Sequence, residues 1–153
     1  STLAGKFPTY ETAFGKMGIM ICFDAHFTDV ARALSRQGAQ VIANPALFGA
    51  SIAHLTVSQV VFRAIENRTP VVMADVAFSS AIIDPFGGVV KSTFTPEGAA
   101  AILVADVPLG AGKTFYAKTG DWLGWLSLAG MFWFIGMVSR DQKKHNRSRH
   151  SKP

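Results

Sequence analysis

Between Met17 and Val107, short apolar runs alternate with stretches in which apolar residues recur every three to four positions. That alternation predicts an α/β domain. The run Met17-Gly18-Ile19-Met20-Ile21 predicts a buried strand, and it breaks at Cys22-Phe23-Asp24 into a helical segment. Thr28 is the expected N-cap of that helix, Val30, Ala33 and Leu34 its inward face, and Gly38 its C′ residue. Residues 40–43 predict a second strand, ended by Asn44-Pro45. Val57, Val60, Val61, Ala64 and Ile65 line one face of a longer helix that Thr69-Pro70 stops, and residues 70–74 predict another strand. From Ser79 the pattern changes: residues 80–83 and 89–92 flank Asp84-Pro85-Phe86-Gly87-Gly88, as in an antiparallel hairpin. Residues 100–107 predict a final strand, and residues 108–121 a loop. This order describes half of a layered α/β fold rather than a complete sheet.

The next segment has no period. Residues 122–139 contain no charge and are apolar on every face, and a helix of that length spans roughly 27 Å, close to the hydrocarbon thickness of a bilayer. Trp122 and Trp125 stand at one end, where interfacial aromatics belong, and Arg140 follows directly at the other. A transmembrane helix is expected here rather than a buried core helix. Three regions follow: a domain over residues 1–121, a membrane span over 122–139, and a basic tail over 140–153.

Charge supports that division. The net charge is +5, which by itself suggests a nucleic-acid partner. All of it lies in residues 140–153, where six basic residues face the single Asp141; the remainder carries nine basic and nine acidic residues. A basic stretch directly after an apolar helix reads as a cytoplasmic membrane flank and not as a nucleic-acid arm. The positive-inside rule then puts the preceding domain on the opposite, extracytoplasmic side. The chain begins at Ser1 without a signal-peptide pattern and reads as the carboxyl-terminal piece of something longer.

Cys22 is the only cysteine, so no internal disulfide can form. A lone thiol is commonly a small buried hydrophobe. At a strand-to-helix corner it is also a candidate nucleophile, because the turn lifts the side chain out of the sheet. His26, His54, His145 and His150 do not cluster at ligand spacing, and no metal site, phosphate loop or dinucleotide fingerprint is expected.

The motifs around Cys22 occur in a recognisable order. Gly18-Ile-Met-Ile-Cys22-Phe-Asp24, then Arg32-Ala-Leu, Gly38-Ala-Gln-Val-Ile, Asn44-Pro45, Arg63-Ala-Ile-Glu66-Asn67-Arg68-Thr-Pro70 and Ser80-Ala-Ile-Ile-Asp84-Pro85-Phe-Gly87 resemble the nitrilase, or carbon-nitrogen hydrolase, superfamily. Thr114-Phe-Tyr116-Ala-Lys-Thr-Gly120-Asp121-Trp122, leading into an apolar helix and a basic tail, is similar to the carboxyl end of its apolipoprotein N-acyltransferase branch. The resemblance implies part of an α-β-β-α sandwich followed by one transmembrane helix in a bacterial inner membrane. It also implies a ping-pong reaction without a cofactor. Cys22 would take an acyl group from a phospholipid as a thioester and pass it to the amine of a diacylated lipoprotein.

Residue roles follow from the same resemblance. The family's glutamate base and oxyanion lysine lie upstream of the cysteine; Glu11 and Lys16 match neither motif. Phe23 would offer its backbone N–H to an oxyanion. Asp24 has two readings, electrostatic support of the site or a carboxylate at a helix N-terminus. Asn44, Leu47 and Phe48 occupy the loop after the second strand and are pocket candidates. There the family's Asn-Asp-(Ala or Gly)-Trp-(Phe or Tyr) is replaced by Asn44-Pro45-Ala46-Leu47-Phe48, which leaves the lipid donor open. Phe78 stands where the family tends to have glycine. His54 reads as packing or capping, and Arg63 with Glu66 as a structural ion pair. Two alternatives stay open: a membrane-tethered amidase or nitrilase in which water resolves the thioester, and a non-catalytic module that keeps the fold and the anchor.

Overall fold

The computed structural model of the chain describes residues 7–94, 100–110 and 114–150, with side chains as far as residue 139. It divides into two units, Ser1–Lys118 and Thr119–Pro153. In the first unit, six strands form one sheet in sequence order: β1 (Thr9–Thr12), β2 (Gly15–Ile19), β3 (Val41–Ala46), β4 (Val71–Asp75), β5 (Ser79–Ile83) and β6 (Val89–Phe94). β2, β3 and β4 run parallel, and the outer pairs are antiparallel. Helix α1 (Thr28–Arg36) connects β2 to β3, and α2 (Ala53–Asn67) connects β3 to β4. Parallel neighbours require such crossovers.

The helices bury one face of the sheet. Leu34 of α1 and Val60 and Ala64 of α2 join Ile42, Val71, Met73, Ala81 and Ile83 in one apolar core. Gly18 permits the close approach of α1, since a Cβ there would stand 3.1 Å from Leu34 Cβ and Cδ2. Burial alternates along β3 and β4: Ile42, Asn44 and Ala46 are buried, as are Val71 and Met73, while Pro45, Val72 and Ala74 are exposed. One helix layer on one sheet, with an apolar second face, is half of a four-layer sandwich.

Most expected elements form, with corrections at their ends. Thr28 is the first residue of α1 and makes no capping bond; Phe27, in extended geometry, holds the N-cap position because the turn before it runs straight into the helix. Gly38 closes α1 as expected, with φ +89° and its N–H donated to Ser35 O. Asn44-Pro45 does not end β3, which continues to Ala46, with Pro45 opposite Ala74. Ile42 donates to Pro70 O on the β4 side, so odd-numbered residues of β3 face β2. The β2–β3 register stops at Ile19 and Ala43, so the N–H that Pro45 lacks would have had no strand partner there. Helix α2 ends one step before Thr69-Pro70, at Arg68, whose φ of +49° is left-handed.

The final strand expected over residues 100–107 does not form; residues 100–110 carry no regular structure. Ile102 and Val104 are exposed while Leu103, Ala105 and Val107 are partly buried, an alternation typical of extended chain. The segment lacks a ladder partner among the described residues, because neither edge strand pairs with it. Gly110 anchors its end by donating to Gln40 O at 2.8 Å. Within the stretch expected to be a loop, Phe115–Thr119 forms a short helix, α3, and Arg32 Nε donates to Ala117 O at 3.2 Å.

The second unit is dominated by α4 (Trp122–His150). Its first part, Trp122–Ser139, is 18 residues long and apolar enough to cross a membrane. The helix does not stop at the start of the basic stretch, because nothing between Ser139 and Asp141 is a helix breaker.

Candidate active site

Parallel strands bring their carboxyl ends to one edge, where α/β folds commonly bind ligands. At this edge stand Cys22 after β2, Leu47 and Phe48 after β3, and Asp75 at the end of β4. Cys22 opens a 3₁₀ turn, Cys22–His26, and has φ +48°. Left-handed backbone in a residue other than glycine, asparagine or aspartate is uncommon and costs about 1–3 kcal/mol, so surrounding contacts must enforce it.

Asp24 supplies one of them. Its Oδ2 accepts the Ile21 N–H at 2.9 Å while its own N–H donates to Ile21 O at 2.9 Å, which closes the corner on both sides of the cysteine. The carboxylate thus acts as a cap on this turn. Beneath it, Asn44 is fully buried and donates Nδ2 to Met20 O at 2.9 Å, joining the exit of β2 to β3. Phe23, second in the turn, precedes the first bond within it, and an N–H at that position has no partner inside the helix.

The loop after β3 closes over the corner. Cys22 Sγ lies 4.0 Å from Leu47 O. Leu47 itself is exposed, whereas Phe48 is buried, and the Phe48 N–H donates to Asp75 Oδ1 at 3.0 Å. Asp75 is the organising acceptor here: it also takes the N–H groups of Ala77 and Ser79 and the Ser79 hydroxyl. Burial raises the Asp75 pKa, but the hydrogen bonds from Ser79, Phe48 and Ala77 outweigh burial and hold it below the usual carboxylate value.

The sequence-derived residues therefore meet at one corner: Cys22, Phe23 and Asp24 on the turn, Leu47 and Phe48 on the facing loop, and Asn44 underneath. Asp75 was not anticipated. Its signal was present as an acidic residue after an apolar run and four residues before a serine, the pattern of a side chain that caps its own turn. In the sequence His26 is one of four histidines that do not cluster at ligand spacing; in the structure its ring stacks on Phe23 at 4.2 Å and lies 5.8 Å from Phe48. Among the described residues no group of three or more metal-binding side chains forms.

Other residues stand outside the corner. Glu11 and Lys16 are paired with each other across the β1–β2 hairpin at 3.2 Å. Arg63 and Glu66 make the expected ion pair, at 3.0 Å. His54 and Phe78 both pack on Phe94, at ring separations of 4.7 and 6.5 Å.

Fold and site define an α/β protein that presents a thiol at the carboxyl edge of its parallel strands. It belongs to the carbon-nitrogen hydrolase family, whose model matches residues 2–115. The chain is 36% identical to the apolipoprotein N-acyltransferase of Geobacter metallireducens over 90% of its own length and 27% of that protein's. It is 30% identical to the omega-amidase NIT2 of Mus musculus, over 68% of the chain and 41% of the mouse protein. Among solved structures it superposes on Saccharomyces cerevisiae Nit3, of the nitrilase superfamily, with a TM-score of 0.55 and 26% identity over 60% of the chain and 38% of Nit3. The chain thus spans about a quarter of the length of the acyltransferase it matches.

Proposed function

We propose that this chain is the cysteine-bearing part of a membrane-bound N-acyltransferase, which moves a fatty acyl group from a phospholipid through Cys22 to the N-terminal amine of a diacylated lipoprotein. The observation that carries this reading is the left-handed corner at Cys22, with the Phe23 N–H free of helical partners beside it. The similarity to apolipoprotein N-acyltransferase across 90% of the chain supports the choice of reaction.

In the first step Sγ, as thiolate, attacks the acyl carbonyl carbon of the phospholipid. A C–S bond forms, the ester C–O bond breaks, and the lysophospholipid oxygen takes the proton that the general base removed from the thiol. In the second step the lipoprotein amine attacks the thioester; a C–N bond forms, the C–S bond breaks, and the amine proton passes to a general base. A thiolate suits both steps, being intrinsically nucleophilic and forming an acyl-enzyme that splits one hard step into two. The Phe23 N–H is suited to the oxyanion of each tetrahedral intermediate. A glutamate base and a lysine are assigned to the part of the protein beyond these residues. Trp122–Ser139 is assigned to the inner membrane, with the basic stretch after it cytoplasmic and the residues before it extracytoplasmic. Anchoring raises the effective concentration of a site whose donor and acceptor both reside in the bilayer.

A second reading is a tethered amidase, in which water resolves the thioester. The 30% identity to a mouse omega-amidase favours it. The two separate in cells depleted of their own acyltransferase and supplied with the complete protein or its Cys22→Ala variant, with lipoprotein N-termini read by mass spectrometry. N-acylation with the intact protein and free amines with the variant are expected. Free amines with the intact protein favour the hydrolase, and N-acylation by the variant removes Cys22 from the mechanism.

A further inference from the structure

His26 lies four residues after the thiol, on the same turn, and belongs to none of the hydrogen-bonded arrangements described above. Its imidazole is stacked on the Phe23 ring with centroids 4.2 Å apart and planes 11° from parallel, and it meets the Phe48 ring at 5.8 Å and 34°. Phe23 directly follows Cys22, and Phe48 directly follows Leu47. The His26 ring therefore bridges the two segments whose separation sets the 4.0 Å gap between Cys22 Sγ and Leu47 O.

The two ends of that bridge differ. Phe48 is 3% exposed and its backbone is held by Asp75, so it is the fixed end. Phe23 is 57% exposed, and burial does little to hold it. Its ring contacts are His26 and, edge-on at 6.1 Å, Phe27. Nδ1 of His26 is buried and makes no hydrogen bond among the described residues, and the contacts that tie the ring to its neighbours are the two aromatic ones. Stacked aromatic pairs attract beyond the area they bury. A left-handed cysteine persists only where its surroundings over-determine it, and this stack is a constraint on the residue beside it.

We propose that His26 is a positioning residue for Cys22: stacked on Phe23 and braced by Phe48, its ring fixes the turn that presents the thiol against the loop after β3. The inference rests on Cys22 being the nucleophile. It predicts that a flat apolar ring at position 26 suffices and that a side chain without a flat face does not.

The test uses the complete protein with His26→Phe, His26→Ala and His26→Leu. Two rates are read below every variant's melting temperature: the single-turnover release of lysophospholipid, and the alkylation of Cys22 by iodoacetamide. H26F is expected to stay within about threefold of the unsubstituted protein in both, with Ala and Leu slower by on the order of tenfold to a hundredfold in the saturating single-turnover rate, at little changed half-saturating phospholipid concentration, and slower in alkylation. Leu fills the space without a flat face, so it decides the matter if H26A fails to fold. Wild-type rates in H26L, or an H26F as slow as H26A, overturn the proposal. If the unsubstituted protein releases no lysophospholipid, the acyltransferase reading fails, and the alkylation rates still decide the role of His26.

Discussion

The Asp75 carboxylate at the end of β4 holds the backbone N–H of Phe48, 27 residues earlier in the chain, at 3.0 Å. Through this bond, and through the Ala77 and Ser79 N–H groups that it also accepts, one side chain sets both the loop facing Cys22 and the corner between β4 and β5.

Asp75→Asn is the direct test of that role. Asparagine can still accept with one oxygen, but its amide donor then confronts the donors of Ser79, and a loss of about 1–3 kcal/mol is expected. The pH dependence has a definite sign. Because the folded-state pKa lies below the unfolded value, the stabilisation is complete above the unfolded pKa and disappears as pH falls through the folded one. Melting temperatures of the complete protein should therefore fall less steeply below about pH 4 in the variant than in the parent. Parallel acid limbs would remove Asp75 as the source.

The left-handed conformation of Cys22 separates two substitutions that both remove the thiol. Glycine relieves the backbone at φ +48°, while alanine retains the conflict. Cys22→Gly should exceed Cys22→Ala in stability by about 1 kcal/mol, even after the extra freedom glycine gives the unfolded chain. Thermal melts of the two variants, both lacking the thiol, make the comparison. An alanine variant as stable as the glycine variant would show that the corner carries no strain.

Gly110 is where the segment after the sheet docks. A Cβ added there would stand 2.7 Å from both Arg68 O and Thr69 Cα, which are backbone atoms that cannot swing aside. Gly110→Ala is expected to cost about 1–3 kcal/mol by overpacking. It should also speed hydrogen exchange at the Gly110 amide, now bonded to Gln40 O. Unchanged exchange and melting would mean that the docking is not maintained in solution.

What was legible in the sequence was local. Apolar spacing located both helices and the hairpin, Gly38 terminated α1, and the run into Cys22-Phe23-Asp24 marked the corner, because period and turn chemistry act over a few residues. The apolar length of Trp122–Ser139 was equally plain. Tertiary structure decided what depends on distant partners. Pro45 stays inside β3 because the neighbouring strand has already left, and among the described residues neither edge strand of the sheet pairs with residues 100–107. The Asp75–Phe48 bond and the Phe23–His26–Phe48 rings likewise need three strand ends gathered at one edge. Cys22 as a candidate thiol could be read from the chain; beyond the local Asp24 cap and the Phe23–His26 stack, the contacts at its left-handed corner come from segments that only folding brings together.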